Sequence, residues 1–291
     1  MSLAAAPPAG AGTRPAPRTG LAVTKAVHRT FGRGTTALGQ DAERRFFPSH
    51  TGHAGVALRE ELLDTAVGNT FEHMGAELLA ELGEQPETDL VVLAYSTPDF
   101  LPTLLTAPTL TERLPGRPLL LGVADQGPSA PFSALALARN YARRHGFRRV
   151  LVLAFDQHVM PYDVPGSGPR GLAGDGAVAL VLEASGDNCR VRQICGLSPQ
   201  EVPERLAALI RELDPEGTAE VAAGPGIDPA WKLPVAAASV RRAPEGYPCT
   251  SVLGALAERL PAAGGGAALL VEYDPVLGDL SVCRVDPAAA A

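Results

Sequence analysis

Ser129 stands where an apolar run, Leu119 to Ala124, gives way to a helical pattern, so its hydroxyl falls at a strand-to-helix turn. A serine in that position is a weak nucleophile, activated as a rule by a positioned base. Candidate bases run out early. His158 is the last histidine and Asn188 the last asparagine, so the rest of the chain supplies neither. Four cysteines (Cys189, Cys195, Cys249, Cys283) have no metal-ligand spacing and no CxxC, which predicts reduced thiols and no metal. Gly174-Asp175-Gly176 reads as a structural turn into a strand, with an Asx side chain between two small residues.

The elements that must position these groups follow from periodicity. Leu21 to Val27 predicts a first strand, followed by an irregular stretch through Gly55. Glu60 to Leu82 carries apolar residues at helical spacing and stops at Gly83. Asp89 to Tyr95, Leu119 to Ala124 and Arg149 to Phe155 are continuous apolar runs, the pattern of strands covered on both faces. Thr109 to Leu114 predicts a short helix, Ser129 to His145 a long one closed by Gly146, and Val178 to Glu183 another strand. A Pro/Gly-rich loop spans Met160 to Leu172, and Val202 to Leu213 and Thr250 to Leu260 read as helices. Strands alternating with helices imply parallel pairing through helical crossovers. Gly176 to Ile194 also resembles Gly266 to Val285, each giving strand, turn and strand, which suggests a duplicated α/β unit.

Composition bounds the function. With 291 residues, 46% hydrophobic and 20% charged, the chain can bury a substantial core. A formal charge of −7 argues against a general nucleic-acid binder, because neutralising phosphates needs a basic face. No apolar run approaches a membrane span. The first residues are rich in Ala, Pro and Gly without a compact apolar segment, so residues 1–19 read as a disordered tail and the protein as cytoplasmic.

Three segments resemble the thiolase superfamily in its β-ketoacyl-ACP synthase III branch. They are Asp89 to Phe100 (DLVVLAYSTPDF), Gly122 to Asp156, and Gly174 to Glu183 (GDGAVALVLE), with His50-Thr51-Gly52 a weaker match. The resemblance implies an α/β thiolase-like fold of duplicated halves, with mixed central sheets packed in layers with helices. It sets an N-terminal half at 20–185 and a shortened C-terminal half at 186–288.

It also places the catalytic positions. The family's nucleophilic cysteine, at a buried helix N-terminus, corresponds to Ser129, whose hydroxyl gains little from the helix dipole. The family's histidine falls on Gly224 or Pro225, its asparagine on Cys249, and its glycine-rich oxyanion turn on Tyr273-Asp274-Pro275. Proline has no N–H to offer and aspartate repels an oxyanion. Decarboxylative condensation is therefore not expected.

The residues that remain suggest Ser129 as nucleophile, His158 as base and Asp156 as its orienter, on the expectation that the strand ending at Asp156 neighbours the one leading to Ser129. The alternative is that Ser129 caps its helix and His158 is a loop residue. Gly127-Pro128-Ser129-Ala130-Pro131 also resembles the elbow of α/β-hydrolases, but that fold needs a histidine toward the C-terminus.

Phe46, with Phe47 and the preceding Arg44-Arg45, sits where the family stacks the CoA adenine and pairs its phosphates. These residues have a core-and-surface reading as well. Arg170 is a further phosphate-pairing candidate, and Trp231 a candidate interface anchor.

Two functions are thus expected. One is a non-condensing acyltransferase using acyl-CoA or a phosphopantetheinyl carrier protein as donor, with no bound cofactor. The other is an inactive thiolase-fold subunit partnering an active synthase. Either implies a homodimer or heterodimer, without nucleic acid or membrane.

Overall fold

The computed structural model describes residues 20–38, 41–102, 106–163, 172–236, 239–260 and 266–287. The expected tail at 1–19, Arg170 and most of the Pro/Gly-rich loop lie outside the described residues. The first half runs β1 (Ala22–Phe31), β2 (Thr36–Ala37), α1 (Asp41–Ala54), α2 (Glu60–Thr65), β3 (Val67–Gly68) and α3 (Phe71–Leu82). It continues through β4 (Leu90–Tyr95), α4 (Thr106–Thr111), β5 (Leu119–Val123), α5 (Ala130–His145), β6 (Arg149–Asp156) and β7 (Asp175–Glu183). The second half is β8 (Cys189–Ile194), α6 (Val202–Leu213), β9 (Glu220–Ala223), β10 (Val240–Arg242), α7 (Ser251–Arg259), β11 (Ala268–Asp274) and β12 (Asp279–Val285).

Each half builds a five-stranded sheet, ordered β5-β4-β6-β7-β1 and β10-β9-β11-β12-β8. In both, the first three strands are parallel and the last two antiparallel. The halves are therefore copies of one topology, with α3 matching α6 and α5 matching α7. The likeness between Gly176–Ile194 and Gly266–Val285 pairs the wrong strands, however. β7 and β8 belong to different sheets, whereas β11 and β12 form a hairpin in one sheet, so the true counterpart of β11–β12 is β6–β7.

Alternation along the strands sorts the core into layers. Val150, Val152 and Ala154 of β6 pack with Phe132, Leu135 and Ala138 of α5 and with Leu253 and Leu256 of α7. Leu151, Leu153 and Phe155 face Met74 and Leu78 of α3 instead. On the other sheet, Leu270 and Cys283 join the α5/α7 layer, while Val271 and Val282 face Leu206 and Ile210 of α6. The order is α3, sheet, α5 with α7, sheet, α6. Burying α5 on both sides places its N-terminus between the two sheets.

The structure corrects other expectations. Residues 41–54 form a helix despite Pro48; its apolar side chains are few and Phe47 alone reaches the core fully, so no helical period marks it in the sequence. Glu60 to Leu82 is not one helix. The chain turns extended at Val67-Gly68, where a side chain at 68 would collide with Phe100. The run at Leu119 is not a strand covered on both faces. β5 is the sheet edge, with Leu119 42% exposed. Among the described residues, no helix is long and apolar enough to cross a membrane.

Candidate active site at the junction of the two sheets

Ser129 is held by a turn that leads from the end of β5 into α5. Asp125 (φ 58°) and Gly127 (φ 47°) both adopt the left-handed region, and Gly127 to Ser129 form one 3-10 turn. Position 127 has no room for a side chain, since a Cβ there would lie 2.5 Å from Asp274 Oδ2. Ser129 is only 1% exposed, and its side chain makes no capping bond to α5. Its hydroxyl instead lies 3.4 Å from Ser281 Oγ on β12. Gln193 on β8 organises the pair: its Nε2 donates to Ser281 Oγ (3.1 Å) and Ser133 Oγ (3.2 Å) and lies 3.5 Å from the Ser129 carbonyl. The helix-cap role for Ser129 is thereby replaced by a contact between halves.

His158 and Asp156 take other partners. β4 stands between β5 and β6, so the strand ending at Asp156 does not neighbour the strand leading to Ser129. The Asp156 carboxylate accepts from Cys249 N (2.9 Å), Thr250 N (2.8 Å) and Thr250 Oγ1 (2.6 Å), anchoring the start of α7. Burial raises its pKa to about 6 against those hydrogen bonds. His158 bonds through Nδ1 to Asp175 (2.7 Å), which also accepts from the His158 N–H (2.8 Å) and from Asn69 Nδ2 (2.8 Å). This hydrogen bond to Asp175 raises the histidine pKa against partial burial. Asp175 has the strand parity of Ala177 and Ala179, which face α3. His158 is thus held on the α3 side of the sheet, whereas Ser129 heads the helix on the other. The Ser129–His158–Asp156 set is not brought together.

Cys249, the position the resemblance gives to asparagine, does reach the site: its Sγ lies 3.7 Å from the Gly127 carbonyl. Burial pushes the thiol pKa well above its usual value, with the Asp156 charge adding to it, so it is neutral. Phe46 and Arg45 do not join it. They line a surface cavity of about 440 Å³ on α1 with His50 and His53, and Phe46 stacks on the His50 ring at 5.3 Å. Phe47 is core, and Trp231 packs edge-on to Tyr273.

The position assigned to histidine is occupied from another strand. Gly224 follows β9, and a Cβ built there would fall 1.8 Å from Glu272 Oε2. Glu272, on β11, is fully buried; its Oε1 accepts from Tyr273 N (2.9 Å) and Gly226 N (3.0 Å), while Oε2 has no partner. Burial raises its pKa to about 8, with Asp274 contributing. Glu272 lies directly across from Ser281 in the β11–β12 ladder, on the same face of the sheet. Sequence reasoning missed Glu272, Ser281 and Gln193. A usable signal existed only for Glu272, the lone charge inside the apolar run Ala267 to Tyr273. Asp274 turns into the site beside Gly127, while its Oδ1 holds the following turn through Val276 N (2.8 Å) and Leu277 N (3.2 Å).

Two mixed sheets of identical order, with α5 and α7 between them and Ser129 at the head of α5, define the thiolase-like fold in the form seen in 3-oxoacyl-ACP synthase III. No family model matches the sequence. Among solved structures the chain is similar to ChlB3, described as an acyltransferase (TM-score 0.63, 18% identity, 92% of this chain and 99% of that one). It is similar to AbyA1, a tetronic acid condensing enzyme (TM-score 0.59, 20% identity, 91% and 99%). It also matches the 3-oxoacyl-ACP synthase III of Aquifex aeolicus VF5 (TM-score 0.60, 18% identity, 92% and 100%).

Proposed function

We propose that the chain is a non-condensing acyltransferase of fatty-acid, polyketide or other specialised metabolism, which takes an acyl group from a CoA or carrier-protein thioester onto Ser129. The observation that carries this reading is the Ser129 hydroxyl. It is buried at the head of α5, free of any capping bond and turned toward Ser281 of the other half, which Gln193 holds in turn. A serine serving only the helix would bond to the first-turn N–H groups instead. The absence of histidine and asparagine downstream of Asn188 argues against condensation, and ChlB3 gives a precedent on this fold for acyl transfer. Incubation with acyl-CoA and acyl-carrier-protein donors, followed by intact mass, tests the reading. One acyl mass gain is expected in the wild type and none in Ser129→Ala; no gain with any donor would contradict it.

One observation favours a second reading, a catalytically inactive subunit that pairs with an active ketosynthase. β5 is an open sheet edge that exposes Leu119. Stable co-purification with a synthase, together with inertness to every donor, is the outcome that would select it.

A further inference from the structure

The position of Glu272 bears directly on that chemistry. Two glycines, Gly224 and Gly226, leave the space into which its side chain folds. A Cβ at 224 would strike Glu272 Oε2, and one at 226 would meet Oε1 at 2.9 Å. Oε1 is held by two backbone N–H groups, whereas Oε2 is buried and unpartnered. An unpaired polar atom in a buried site is destabilising unless something uses it. The carboxyl shares its face of the sheet with Ser281, its cross-strand partner, and such partners have Cβ atoms about 5 Å apart. Ser281 in turn touches Ser129.

We propose that Glu272, as a neutral carboxylic acid, donates a hydrogen bond from Oε2 to the carbonyl oxygen of the acyl group bound at Ser129. This rests on the reading of Ser129 as the acyl acceptor and extends it. The atom assignment follows from the donors. Oε1 accepts two N–H bonds and is the carbonyl oxygen, so the proton sits on Oε2.

The pKa of about 8 keeps the acid form populated at neutral pH, as a hydrogen-bond donor requires. The groups facing it agree. Asp274 on its own strand raises that pKa; β12 and β8 present uncharged Ser281 and Gln193; the segment after β9 presents backbone. At the head of α7 are the neutral Cys249 thiol and Asp156, the latter held by its three hydrogen bonds.

In the first half-reaction the Ser129 oxygen bonds to the thioester carbonyl carbon and charge gathers on the carbonyl oxygen facing Oε2. The C–S bond then breaks, the thiolate departs and the Ser129 proton ends on its sulfur. In the second, an alcohol or amine acceptor adds to the same carbon, the bond to Ser129 breaks and the acceptor's proton returns to the serine. Glu272 ends each half-reaction protonated, as it began.

The test compares acyl-Ser129 formation, by mass, in the full chain and two variants, each checked for folding by circular dichroism. Glu272→Gln places an amide N–H where Oε2–H was. It is expected to keep the rate within about tenfold and to lose the decline above pH 8 expected of the wild type. Glu272→Leu has no donor and is expected to slow acylation about 100-fold or more. Wild-type rates in Glu272→Leu, or a wild-type rate that rises through pH 8 and vanishes in Glu272→Gln, as a base would give, overturns the proposal while Ser129 stands. A wild type that no donor acylates removes the Ser129 reading and this inference with it.

Discussion

Glu272 ionises in a place that disfavours its charge, and the consequence reaches stability as well as chemistry. An ordinary glutamate in the unfolded chain loses its proton near pH 4.5, whereas burial holds that proton on the folded protein to about pH 8. Between those values the folded state binds more protons, so stability falls as pH rises. Glu272→Gln has no such dependence. Its stability relative to wild type should grow from pH 5 to pH 8 by several kcal/mol at most. Urea unfolding at both pH values measures this; an equal difference at the two would sink the assignment. Glu272 is legible in the sequence as a charge within an apolar strand, but its target is not, because Gly224 and Gly226 reveal their spacing only once β9 and β11 lie side by side. Ser281 and Gln193 are less legible still: single polar residues on strands carry no signal until two halves meet.

At the scale of elements, α5 and α7 enter the same layer by different devices. α5 starts from a left-handed turn and ends at Gly146 (φ 70°), with Arg143, Arg144 and His145 in its last turn to favour the dipole. α7 starts on the Asp156 carboxylate. Asp156→Ala leaves the Cys249 and Thr250 donors buried without an acceptor, which should destabilise the fold by about 3 kcal/mol. A melting temperature unchanged to within a degree would contradict that role. His158→Ala, on the opposite face of the sheet, should leave the rate of Ser129 acylation within about threefold of wild type. A loss of about 100-fold would restore the histidine as base. The central strands and most helices are legible because two-sided burial writes continuous apolar runs and one-sided burial writes a helical period. α1 is not, having few apolar residues and an internal proline, and β5 is misread because its apolar side chains line an edge.

For the whole molecule, the duplication explains why the site lies at a seam. Each half alone would leave one face of its α5/α7 layer uncovered, and Ser129 from one copy meets Ser281, the cross-strand partner of Glu272, from the other. Asn188 fastens the same seam from the far side. It bonds both the N–H (2.8 Å) and the carbonyl (3.3 Å) of Val23 on β1, and the Asp286 carbonyl (2.9 Å) beyond β12. Asn188→Ala should therefore cost about 2 to 3 kcal/mol, read as a lower urea midpoint, with no effect on the identity of the acylated residue. The most direct test of the account is peptide mapping after incubation with a heavy-isotope acyl-CoA and the matching acyl-carrier protein. The prediction is a label on Ser129 and on no other residue. A label on Cys249, or an unmodified Ser129 with every donor, would contradict it.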